Sequence, residues 1–575
     1  MSLPEQAITA GRFENAYQAQ LSQLKQAQAI SKIWAHQPGL WKREAEHARV
    51  IGNRLGWISV LDEMRAQALA IEEFARGVIA AGLRNIVLLG MGGSSLAPEV
   101  FSLIFPPTGD GRRFFVLDST DPGAVLQVER SINLRESLFI AASKSGATIE
   151  TLSQTLYFQT RLERSGAGPS GPHFIAITDS GSYLDQLGTE YTFRYTFLNP
   201  PDIGGRYSAL SLFGLVPAAL WGANIRSVLD SAIEMRDACG PQRSPDSNPA
   251  LELGALLGAS ALEGADKLIL LTTPRLAPLG NWIEQLVAES TGKEGKGIVP
   301  VAAGEVAPPM EVMAEGCLVA ALRLDGENSA ALDATVGALR ARGVPMAEIH
   351  LRRETDLGAE FFKWELATAV AGAVLQIDPF DEPNVAESKS NTSRILKEFQ
   401  STQVLPTGQP LVTESGLEVY SESAGRRELA TPHLAELLRA FLADRAPGEY
   451  LAVLAYLPRN AETQGRLDAL RELLGRGLRL PVLLGYGPRY MHSIGQLYKG
   501  GPATGRFVFL TSAKAKDVPI PGAKYTFGQL EMAQALGDLE SLGKRGRPVL
   551  RLHMVEGEQP GLEAVGRVME EALRK

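Results

Sequence analysis

Ser137-Leu138-Phe139-Ile140-Ala141-Ala142-Ser143-Lys144-Ser145-Gly146-Ala147-Thr148-Ile149-Glu150-Thr151 is the stretch on which the reading of this chain turns. An apolar run of strand length passes directly into hydroxyl side chains around one glycine, and a helical pattern starts near Thr148. Short donors, close backbone approach and the amides of a helix N-terminus are what a phosphate dianion needs. Ser143, Ser145 and Thr148 would serve equally as a turn that caps the next helix. A Walker-type nucleotide loop is disfavoured, because Lys144 precedes the glycine and the G-x-x-x-x-G-K-[ST] spacing is absent.

A second glycine-rich strand end lies upstream at Gly90-Met91-Gly92-Gly93-Ser94-Ser95-Leu96-Ala97-Pro98. Alone it is a weak dinucleotide signal, since no third glycine or acidic residue falls at fingerprint spacing. Open α/β sheets bind ligands at their carboxyl edge where the strand order reverses, so two such loops suit one pocket. Around them, short apolar runs at residues 85–90, 114–118, 137–143, 173–179 and 191–199 alternate with helical patterns, the signature of a parallel sheet with crossover helices.

Working outward, residues 1–84 read as a helical leader and 85–240 as a first α/β domain. A Gly-, Pro- and Ser-rich seam at 239–249 precedes a second α/β domain, 250–400, with runs at 267–273, 318–324 and 346–351 and helices at 360–376 and 383–400. A polar stretch at 401–416 leads to a C-terminal α/β domain, 417–575, with runs at 450–457, 480–485, 507–512 and 548–553. The fold class expected is α/β: two doubly wound parallel-sheet domains, a third α/β segment and the leader.

Composition narrows the partners. With 65 acidic against 57 basic residues in 575, the net charge of -8 offers nucleic acid no global attraction. Two cysteines, Cys239 and Cys317, with no C-x-x-C pair, suit a reducing cytoplasm and neither a disulfide framework nor a zinc knuckle. No basic head with an apolar stretch opens the chain and no apolar run reaches membrane-spanning length, so the expectation is a soluble cytoplasmic protein without membrane partners.

The two loops resemble the sugar isomerase domain of phosphoglucose isomerases, with their G-x-G-G-S-x-L-x-P and S-K-[ST]-x-x-T-x-E-T motifs. Three further segments match in family order: Gly204-Gly205-Arg206-Tyr207-Ser208, Gln285-Leu286-Val287-Ala288-Glu289-Ser290-Thr291-Gly292-Lys293, and Phe380-Asp381-Glu382-Pro383-Asn384-Val385 leading to Lys389. The remainder, including Gly487-Pro488-Arg489-Tyr490-Met491-His492, looks like the isomerase half of fused transaldolase-phosphoglucose isomerases. The 84 residues ahead of the first strand fall far short of the roughly 250 of a (β/α)8 barrel, so transaldolase activity is not expected.

The resemblance implies an aldose-ketose isomerase acting between glucose 6-phosphate and fructose 6-phosphate, with a sugar phosphate as partner in a homodimer. It places the phosphate on Ser94, Ser143, Ser145 and Thr148 with Lys144 nearby, and the sugar near Gly93 and Glu382. Glu289 becomes the base, Arg206 the cation beside the enediolate, and Lys389 the group near the ring oxygen and C1 hydroxyl. Glu289 shares a helical face with Trp282 and Leu286, where partial desolvation would strengthen it as a base. Glu382 stands where relatives often carry glutamine. The family's ring-opening histidine has no match between Glu289 and Lys389, where only His350 occurs, inside an apparent strand. His492-Ser493-Ile494-Gly495-Gln496-Leu497 resembles the missing segment displaced beyond Lys389; if helical, it places His492, Gln496 and Lys499 on one face. His492 is the assignment for ring opening, with Glu360 as the alternative occupant of that position. No metal or other cofactor is expected, since no His, Cys and carboxylate set has ligand spacing. Breadth toward mannose 6-phosphate and a non-catalytic sugar-phosphate sensor are the competing functions.

Overall fold

A computed structural model describes residues 3–166, 168–303, 307–421, 431 and 433–574. Contacts divide the chain into two units: 1–118, 128–305 and 313–382 form the first; 119–127, 306–312 and 383–575 form the second.

The first unit holds two sheets. After β1 (Glu5–Thr9), strands β2 (Asn85–Gly90), β3 (Arg113–Leu117), β4 (Ser137–Ala142), β5 (Phe174–Thr178) and β6 (Tyr195–Leu198) pair in the order β3-β2-β4-β5-β6, all parallel. β2, β4 and β5 are buried along their whole length, because helices cover both faces, which is why they read as unbroken apolar runs. β7 (Lys267–Thr272), β8 (Val299–Ala302), β9 (Cys317–Leu324) and β10 (Met346–Leu351) form the second sheet, ordered β1-β10-β9-β7-β8. Here β1 adds antiparallel to β10, so the leader donates a strand to this sheet and the sheet is mixed. Glu5-Gln6-Ala7-Ile8-Thr9 at a sheet edge has no fully buried residue, hence no apolar run to announce it.

Helix Leu357–Leu375 is buried at every position except Val374 and packs on helices Ile225–Cys239, Pro249–Leu262 and Ala277–Thr291. It is apolar on most of its surface, as a helix enclosed by others must be, with Glu360, Lys363 and Glu365 as buried charged exceptions.

The second unit carries β11 (Val412–Glu414), β12 (Leu417–Ser421), β13 (Tyr450–Tyr456), β14 (Val482–Tyr486), β15 (Gly505–Ser512) and β16 (Val549–Met554), ordered β11-β12-β16-β15-β13-β14. The last four in that order run parallel; β11 and β12 are antiparallel additions. Helix Val385–Thr402 packs on Phe527–Lys544 within this unit, so the contacts divide the chain at 382/383 rather than near 400. No described helix is long and apolar enough to cross a membrane.

Candidate active site

Strand order dictates where the first unit can bind. From β2 the chain goes to β3 on one side and then to β4 on the other, so the carboxyl ends of β2 and β4 flank the reversal. The loops that leave those two strands are the Gly92–Ser94 turn and residues 143–148. Ser143 is buried and its Oγ lies 2.8 Å from Thr148 Oγ1. Thr148 stands at the N-cap of helix Ile149–Arg164 without capping it through its own side chain. Gly146 has φ +65°, and a Cβ there would lie 2.6 Å from Ser182 Oγ, so the loop requires glycine. Ser94 is buried and Ser145 is exposed. Lys144 turns away from the hydroxyls: its Nζ donates to Asp179 Oδ2 at 2.6 Å and to the Pro201 carbonyl at 2.8 Å, tying the loop to the end of β5.

From Ser94 the site extends through backbone contact. A Cβ on Gly93 would lie 2.0 Å from the Gly205 carbonyl oxygen, so the two turns approach as closely as glycine allows. The second turn, Gly205–Tyr207, delivers Arg206, 3% exposed. Its Nε donates to Ser290 Oγ at 2.8 Å, its Nη2 to the carbonyls of Pro379 and Asp381 at 2.7 and 2.9 Å, and its Nη1 to Glu382 Oε2 at 3.2 Å. The guanidinium is thereby locked in one orientation, and Nη1 lies 3.7 Å from Glu289 Oε1. Burial opposes its charge, yet Glu289 and Glu382 outweigh burial and raise its pKa further.

Glu289 sits near the end of helix Ala277–Thr291, which packs against helix Leu96–Ile104 behind the Ser94 turn. It is 9% exposed and its other oxygen accepts from Gln285 Nε2 at 3.1 Å. Burial raises its pKa above the usual carboxylate range; Arg206 opposes that and Glu382 adds to it. Glu382 is the open side of the cluster, its side chain 44% exposed.

Behind Arg206 the structure adds residues for which the sequence reading proposed no role. Lys293 is buried, donates to the carbonyls of Asp378 and Asp381 at 2.6 and 2.5 Å, and pairs with Asp381 Oδ1 at 2.7 Å. Burial and then Arg206 lower its pKa. His47 Nδ1 lies 3.1 Å from Asp378 Oδ2 and 3.7 Å from Asp381 Oδ2. His47, Asp378 and Asp381 are the one grouping among the described residues with metal-ligand spacing, and the Lys293 ammonium already supplies a cation to it. Lys293 could have been suspected from its place in the Glu289 segment. His47 could not, being 331 residues from Asp378.

Lys389 and His492 belong to the second unit. Lys389 is exposed on helix Val385–Thr402. His492 ends a 3-10 turn, Arg489–His492, and Ser493 breaks the path before helix Gly495–Gly500, so His492, Gln496 and Lys499 do not share one helical face as expected. Gln496 and Lys499 serve the helix carrying Lys389 instead. Gln496 accepts from the Asn384 amide and donates to its Oδ1, at 2.9 and 2.8 Å, while Lys499 reaches Asp538 Oδ1 at 2.6 Å and Ser388 Oγ at 3.0 Å. Glu360 is sealed in helix Leu357–Leu375, wholly buried and 2.7 Å from Lys363, which leaves it no exposed surface for substrate. His350 is 2.6 Å from Asp325, on β10.

Hydroxyl loops at the reversal of a parallel sheet, continuous with a buried carboxylate-guanidinium pair, define an α/β protein of the sugar isomerase type. Residues 57–303 match the family model Phosphoglucose isomerase. The chain is 29% identical over 393 residues to the glucose-6-phosphate isomerase of Leptospira biflexa serovar Patoc, covering 60% of this chain and 87% of the relative. A hypothetical protein from Thermus thermophilus superposes with TM-score 0.59 at 23% identity, over 68% of this chain and 99% of its own. The glucose-6-phosphate isomerase of Chlamydia trachomatis superposes with TM-score 0.55 at 19% identity, over 67% and 86%. At those identities the structures speak to the fold alone.

Proposed function

We propose that the first unit's site interconverts glucose 6-phosphate and fructose 6-phosphate through a cis-enediolate. The observation that carries this is the pairing of buried Glu289 with the immobilised Arg206 beside the hydroxyl loops. Ser94, Ser143, Ser145 and Thr148 hold the phosphate, which fixes C1 and C2 against Glu289. The Glu289 carboxylate takes the C2 proton and returns it to C1; its raised pKa suits both halves of that transfer. Arg206, charged at every working pH, faces the developing enediolate oxygen with no reorganisation left to make.

Lys389 acts near the ring oxygen, and His492 opens the ring by accepting and returning the hydroxyl proton, within a cytoplasmic homodimer. A sensor needs the phosphate loops but not a poised base. Epimer breadth toward mannose 6-phosphate rests on placement around C2. Turnover of fructose 6-phosphate, read by coupled oxidation of the glucose 6-phosphate formed, tests the activity. Binding without turnover in either direction sinks it in favour of a sensor.

A further inference from the structure

One face of the second unit's sheet breaks the usual pattern. Val419, Leu550, Leu552 and Met554 are buried in the core on one side of β12 and β16. The alternate positions carry Glu418, Tyr420, Arg551 and His553, paired across the strands as 418 with 553 and 420 with 551, so all four stand on the same face. A face lying under helix Phe527–Lys544 would ordinarily be apolar. Instead these four line an open pocket of about 390 Å³, whose walls also include Thr407, Ala513, Lys514, Gln529 and Met532. That volume lies in the range of small-molecule pockets.

The charged groups of the lining are already engaged by neighbours. Lys514 pairs with Asp121 at 2.5 Å and Glu531 at 2.7 Å. Arg551 lies 3.8 Å over the Tyr420 ring and donates to the Thr407 carbonyl at 3.1 Å. The helix N-terminus behind the cavity is occupied by Asp517, which accepts from the Gly528 amide at 2.8 Å. The Lys514 ammonium and the helix N-terminus are thus each met by carboxylates.

Beside these stand further hydrogen-bonding groups. Arg551 Nη1 donates to Thr511 Oγ1 at 3.4 Å, and that oxygen lies 3.0 Å from His553 Nδ1. A neutral imidazole at His553 offers one ring N–H donor and one acceptor nitrogen. Burial, with Arg551 adding to it, pushes this imidazole down to about 4, so it stays neutral. Glu418 spends one oxygen on the Tyr420 hydroxyl at 2.6 Å, and Gln529 spends only its Oε1, on the Thr526 amide. Donors and acceptors thus stand together along the pocket wall.

We propose that this cavity binds an uncharged, hydroxyl-rich ligand of about monosaccharide size, at a site separate from that of Glu289. Calorimetric titration of the full chain with D-glucose, D-mannitol and myo-inositol tests it, with inorganic phosphate as competitor. At least one of the three binds saturably, about tenfold more weakly in Glu418→Gln, where one charge-assisted hydrogen bond is lost. Ala513→Leu fills the cavity and abolishes binding, while fructose 6-phosphate turnover in both variants stays at the parent rate and reports an intact fold. No saturable binding of any of the three, binding that survives Ala513→Leu, or displacement by phosphate overturns the proposal.

Discussion

Replacing Glu382 with glutamine removes a charge and leaves the shape, and the structure says how far Glu289 should respond. Both carboxylates reach Arg206 Nη1, Glu289 at 3.7 Å and Glu382 at 3.2 Å, so their oxygens are no more than about 7 Å apart. Two unit charges at that distance repel by about 0.6 kcal/mol in water and about 2.4 kcal/mol at an effective dielectric of about 20. Glu382 is 44% exposed and therefore screened, which favours the lower half of that range, about 1 kcal/mol or ~0.7 pH units. The sign follows from the chemistry. Glu382 penalises the ionised form of Glu289, and catalysis uses that form as the base. In Glu382→Gln the acid limb of the kcat/KM profile for fructose 6-phosphate moves to lower pH by about that amount. The assay is the profile of both proteins at fixed ionic strength. An unmoved acid limb, or one displaced upward, refutes the coupling of these carboxylates through Arg206.

His492→Ala loses most turnover of ring-closed substrate and keeps that of substrate supplied open-chain; full turnover on the closed form removes His492 from ring opening. Gly93→Ala drives a methyl group against the Gly205 carbonyl, 2.0 Å away, and should cost about 1–3 kcal/mol of stability with loss of turnover, read by denaturant melts and kinetics. Wild-type stability there would mean the turns do not touch. Lys363→Met strands the Glu360 carboxylate in the core and lowers unfolding free energy by about 3–5 kcal/mol, whereas the double variant Glu360→Leu, Lys363→Met recovers most of it.

The parallel sheets were legible because their strands are buried on both faces: Asn85–Gly90 and Ser137–Ala142 are apolar without interruption and end at glycine and serine. β1 escaped notice as a polar edge strand, and β8 as four residues. The hydroxyl loops were legible because backbone chemistry ties them to adjacent residues. The shell around Arg206 was not, since Ser290, Pro379, Asp381 and Lys293 converge only in three dimensions. The segment from His492 to Lys499 would place its polar side chains on one face only if helical throughout; Ser493, at φ -136° and ψ -91°, breaks it. Lys144 lies in the hydroxyl loop by sequence, and its ammonium is held by Asp179 and the Pro201 carbonyl, partners that adjacency in sequence does not reveal.

The central claim is that Glu289 carries the proton between C2 and C1. Its most direct test is fructose 6-phosphate turnover by Glu289→Gln beside the parent protein, in excess chelator, with sugar-phosphate affinity measured on both. A fall of about a hundredfold to ten-thousandfold with affinity preserved is the predicted result. Parental turnover in the variant contradicts it.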